Sequence, residues 1–238
     1  MIDERAPAAP SQRFALLRDG KLIGWVSLIS ALIAIGYASR AFGSGDPAPD
    51  VLFEYSTAVA SAGEYVLLVA LALTIARGVG AGRLGFRGPD GLARAALLAL
   101  IALAAAIAVE AALNTVLNAG AEQGLVPSGW DSSRAGAFAA NFIVVAIFAP
   151  VVEETLYRGV GFTLISAHFR PAVAILVTGT AFGLSHGLVL GLPVLTAFGV
   201  VLAWLRWRSG SIYPAIVVHA LFNALALVLA VSVTDSPL

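Results

Sequence analysis

Seven long apolar runs, separated by short polar stretches rich in arginine, glycine and proline, set the pattern of the chain. They fall at Leu22–Ala38, Thr57–Ala76, Ala95–Leu117, Ala135–Ala167, Pro171–Leu190, Pro193–Trp207 and Pro214–Val233. A bilayer needs about 20 apolar residues per helix, and most of the runs come close, the sixth being short. Only helices and closed barrels satisfy their backbone groups in hydrocarbon. The pattern therefore predicts an all-α, multi-pass bundle of about seven transmembrane helices. Charges and prolines, not a small-residue cleavage site, follow the first run, so it reads as a retained span. Residues 1–134 read as an N-terminal tail with three spans, 135–233 as a core of four, and 234–238 as a tail.

Composition agrees: 59% of the residues are hydrophobic and 12% charged, against an apolar share of about 45–50% in soluble domains. Charge placement adds an orientation. With the N-terminus inside, 11 of the 14 lysines and arginines lie on the inner side, Arg40 and Arg134 lie outside, and Arg158 falls within a span. That bias predicts a cytoplasmic N-terminus and an exterior C-terminus, in the cytoplasmic membrane if the source is prokaryotic. The sequence has no cysteine, which excludes disulfides, thiol catalysis and cysteine-held metal. Any imidazole chemistry must use His168, His186 or His219.

The apolar pattern breaks sharply at Glu153-Glu154-Thr-Leu-Tyr-Arg158. A charge at the bilayer centre costs roughly 2.5–3.5 kcal/mol, so such residues pair or line a wet cavity. Glu154 and Arg158 are i and i+4, the favoured acid-to-base order. Glu153 points about 100° away and lies outside that pair. The fifth span carries His186, with Phe182 one turn before it, beside glycines 179, 183, 187 and 191 whose spacing admits a close neighbouring helix. The seventh carries His219 and Asn223 on one face. Unsatisfied polar groups are costly in hydrocarbon, so these residues are expected to share one cavity with the glutamates. Glu153 and His186 are equidistant from a turn at Phe169–Arg170, about 24 Å away along two antiparallel helices. His219 lies only about 8 Å into its helix. Either the fourth and fifth helices project from the membrane, or Gly159 and Gly161 bend the chain. His168 falls at the turn and reads as interfacial. Glu64 and Glu110 read as reaching the outer interface.

Glu153-Glu154-Thr-Leu-Tyr-Arg158 resembles the EExxxR motif of the CAAX protease and bacteriocin-processing (CPBP, or Abi) intramembrane proteases. Phe182-Gly-Leu-Ser-His186 matches the family's FxxxH motif and His219-Ala-Leu-Phe-Asn223 its HxxxN motif, in the same order. The resemblance covers about 135–233. It implies an endopeptidase working within the membrane on a membrane-associated protein or peptide. It also implies that Glu153 and His186 activate water, that His219 and Asn223 stabilise the oxyanion, and that Glu154 assists by holding Arg158.

Other protease signatures fit poorly. There is no His-Glu-x-x-His helix. Gly43-Ser-Gly-Asp46 lies in a loop with no aspartate in any span to pair with it, and Ser209-Gly210 sits at a charged turn. Glu153, His186 and His219 could form a His₂Glu zinc site. Their origin on three helices, and Asn223 beside them as a better oxyanion donor than zinc ligand, favour catalysis without a cofactor. The expected partners are the lipid bilayer and the substrate, not nucleic acid. A membrane scaffold or bacteriocin self-immunity protein that keeps the polar cluster without proteolysis is the alternative.

Overall fold

The computed structural model describes residues 19–43, 50–117, 122 and 129–233. Arg5, Arg13 and Arg18 of the charge count, Ser44–Asp46, most of the loop 119–129 and the tail 234–238 lie outside the described residues. Among those described there are seven long helices and no strand: α1 Gly20–Phe42, α2 Tyr55–Ile75, α3 Leu92–Leu117, α4 Ser132–Ser166, α5 Pro171–Ser185, α6 Leu192–Ser209 and α7 Tyr213–Val233. Five of them (α1, α2, α3, α4 and α7) are long and apolar enough to cross a membrane, while α5 is apolar but shorter. Leucine, valine, isoleucine and phenylalanine side chains lie exposed along α1, α2, α3 and α7. Hydrocarbon surroundings account for that exposure, since lipid tails are as apolar as leucine.

Among the described helices, α5 and α6 pack against each other most extensively. A Cβ on Gly199 of α6 would stand 2.7 Å from the Gly179 carbonyl oxygen of α5, so only glycine permits this approach. α6 also packs on α3, α7 on α3 and α4, α2 on α4, and α1 on α5. The first helix is tied into the core. Trp25 is 2% exposed, and its indole donates to Leu156 O at 3.0 Å. Asp19 caps α1 through the Lys21 and Leu22 amides and meets His168 Nε2 at 2.9 Å. That hydrogen bond is the main reason the Asp19 carboxyl lies below its ordinary value, with the two capping amides helping against partial burial. His168 thus clasps the α4–α5 turn to the start of α1.

The fifth helix ends earlier than the apolar run suggests. Ser185 is its last residue and His186 its C-cap. Gly187 follows at φ 66°, a left-handed position that ends helices. Its α-carbon abuts Gly36 of α1 so closely that a Cβ would meet the Gly36 backbone at 2.7 Å. Only Gly179 and Gly183 of the glycine series are therefore on α5, and Gly191 is the N-cap of α6. The intervening turn is pinned from outside. Glu122 accepts from the Val189 and Gly191 amides at 2.9 and 2.7 Å and pairs with Arg40. Burial opposes ionisation of Glu122, but those amides and Arg40 hold its carboxyl below the ordinary range.

α4 is not a uniform helix. Two π-helical segments, Val144–Phe148 and Thr155–Gly161, flank the short α-turn Ala149–Glu154. Pro150 explains the first. It has no N–H, and its ring would clash with the carbonyl four residues back. The Ala149 amide instead donates to Val144 O, an i→i−5 bond. Val145 O then loses both possible helical donors, Ala149 by redirection and Pro150 by chemistry. Asn223 of α7 supplies one, its Nδ2 lying 2.9 Å from Val145 O. In the second segment Phe162 donates to Tyr157 O, and the side-chain donor to a carbonyl is Trp25, on Leu156.

Candidate active site

Glu153 and Glu154 occupy the last two positions of the α-turn between the π segments. Being adjacent, they face different surroundings. Glu154 is 0% exposed. Its Oε1 accepts from Arg158 Nη1 at 2.8 Å and from His219 Nδ1 at 3.0 Å. Arg158, also 0% exposed, donates through Nη2 to Gly199 O of α6 at 2.9 Å. Its guanidinium lies 4.7 Å from the centre of the Phe182 ring of α5. One buried cation therefore joins α4, α5 and α6, and its carboxylate partner reaches α7. An ion pair this deep holds its members in place, because either one alone would be a buried, uncompensated charge.

Glu153 points the other way, into a cavity of about 230 Å³ that opens between α1, α2, α4 and the end of α5. Leu32, Glu64, Tyr65, Leu68, Tyr157, Ser185 and His186 also line it. The His186 Nδ1 lies 2.7 Å from Phe182 O. A carbonyl only accepts, so Nδ1 carries the proton and Nε2 of the neutral ring keeps its lone pair. The Tyr157 hydroxyl pairs with Ser185 Oγ, which in turn bonds Phe182 O at 3.0 Å. Phe182, 1% exposed, packs its ring against those of His186 and His219, with centroids 4.7 and 5.6 Å away.

Chemically, the arrangement offers a carboxylate on a cavity inside a membrane bundle, an imidazole with a free nitrogen on the same cavity, and hydroxyls beside them. A base, a positioned water and hydrogen-bond donors are what peptide hydrolysis requires.

The sequence-selected residues divide into two groups. Glu153 and His186 share the cavity. Glu154, Arg158 and His219 form the buried network behind it, with His219 Nε2 3.8 Å from Glu153 Oε2. Asn223, expected beside them, instead holds the Val145 carbonyl. The face of α7 that bears His219 and Asn223 packs on α4 at the π-flanked turn, and the second π segment contains Gly159 and Gly161. Glu64 stands exposed at the cavity mouth, whereas Glu110 does not line it.

Tyr65 of α2 was not singled out by sequence. Its hydroxyl donates to Glu153 Oε1 at 3.2 Å. A tyrosine inside an apolar span carries a hydroxyl that needs a partner when buried, and that requirement is the signal for it.

As a cation site the donor set fits poorly. His219 commits Nδ1 to Glu154, which leaves it one ring nitrogen, 3.8 Å from Glu153 Oε2. Among the described residues no three His, Asp or Glu side chains converge as a metal site.

Residues 135–225 match the family model described as "Rce1-like: Type II CAAX prenyl endopeptidase Rce1-like". The match contains all three motifs and supports the CPBP resemblance and a CAAX-type intramembrane protease. No curated protein and no solved structure gives a match.

Proposed function

We propose that the protein is an endopeptidase that hydrolyses a peptide bond of a membrane-associated protein or peptide at the Glu153 cavity. The observation that carries the reading is the convergence of Glu153 and His186 on one cavity within an apolar bundle. Glu153 takes a proton from water as it attacks the scissile carbonyl. His186 accepts that proton from Glu153 at Nε2 and passes it to the leaving amine. Glu154 and Arg158 hold the turn that presents Glu153. His219, held by Glu154, stands near the developing oxyanion, while Asn223 fixes the backbone that carries the glutamates. No cofactor takes part.

The test compares peptides in membranes from cells carrying the wild type and the Glu153→Ala variant at equal protein levels. The expected result is accumulation of uncleaved substrate in the variant with loss of its products. An unchanged peptide population, with the wild-type phenotype kept, overturns the enzyme reading and favours a scaffold.

A further inference from the structure

We infer that Tyr65 is a positioning residue for Glu153, contributed by a helix outside the segment that matches the protease family. The inference rests on the endopeptidase reading of the cavity. Glu154 is fixed by an arginine and a histidine. Glu153 has neither at hydrogen-bond distance, since His219 Nε2 stands 3.8 Å away. Among the described residues, the donor bonded to Glu153 is the Tyr65 hydroxyl, at 3.2 Å from Oε1.

The tyrosine is itself held. Its ring meets Phe148 edge to face, with centroids 6.2 Å apart. Phe148 closes the first π segment, five residues before Glu153. α2 packs along α4 throughout this region, and Leu68, one turn after Tyr65, lines the same cavity. The hydroxyl thus occupies one carboxylate oxygen and turns the other toward His219. A carboxylate held this way loses less rotamer freedom on the way to the transition state.

Tyr65→Phe keeps the ring contact and removes one oxygen. The assay uses the full chain in lipid nanodiscs and, as probe, an internally quenched S-farnesyl peptide ending in a CAAX sequence. A hydrogen bond to a charged group is worth enough for roughly a tenfold loss or more. The expected result is a kcat about tenfold lower, with KM and the unfolding midpoint unchanged. In a Glu153→Asp background, where the shortened carboxylate is out of reach, the same substitution should cost far less. A wild-type kcat in Tyr65→Phe, a change in KM alone, or equal losses in both backgrounds overturns the inference and leaves the protease reading intact. Wild type and Glu153→Ala equally inactive on the probe overturns both.

Discussion

Arg158→Ala tests the buried network directly. The substitution removes a guanidinium that makes two hydrogen bonds at 2.8 and 2.9 Å, one to Glu154 and one to Gly199 O. Both Glu154 and Arg158 are 0% exposed, so water does not replace the lost partner. Breaking a buried pair by removing one member costs about 3–5 kcal/mol. That cost is a large part of the roughly 5–15 kcal/mol that holds a protein folded. The variant should therefore yield little folded protein and melt well below the wild type. Detergent-solubilised protein, followed by size-exclusion yield and thermal unfolding, reads this out. Arg158→Met combined with Glu154→Gln should fold better than Arg158→Ala, because it removes both charges at once. Arg158→Ala at the wild-type level, with the wild-type unfolding midpoint, would refute the reasoning.

The histidines should separate. His186→Ala and His219→Ala are expected to abolish cleavage, and His168→Ala, at the α4–α5 turn, to retain most of it at normal expression; loss of activity in the last would contradict the assignment. Prolonged chelation of purified protein should leave activity intact and elemental analysis should find well under one zinc per chain; stoichiometric zinc whose removal stops cleavage and whose return restores it would establish a metal enzyme. Reporter fusions in the loop 119–129 and at residue 236 should report the exterior and fusions at 83–91 the cytoplasm; an inside signal at 236 would break the seven-span topology.

The fold was legible because membrane burial imposes a coarse and strong signal. All seven helices lie where the apolar runs place them, and the start of α5 at Pro171 is marked by proline chemistry. The charged and imidazole members of the site were legible for the same reason, since each is conspicuous on an otherwise apolar helix. What escaped was set by backbone and by partner. The early end of α5 depends on Gly187 adopting a left-handed conformation against Gly36, a contact across 151 positions of sequence. The π segments leave no periodic trace, because each is one or two turns long. Tyr65 needed a partner visible only once α2 was packed against α4.

The bond from Asn223 to Val145 O has a bearing on which changes the chain can absorb. Each additional residue accommodated within a helical turn advances everything beyond it by about 100° around the axis. The widened turn at Val144–Phe148 therefore sets the angular phase at which the glutamates emerge, and the Asn223 amide locks that phase from a different helix. Side-chain substitutions there preserve it, whereas shortening the segment by one residue would swing both carboxylates to another face of α4. Length, more than residue identity, is what this stretch has to keep constant.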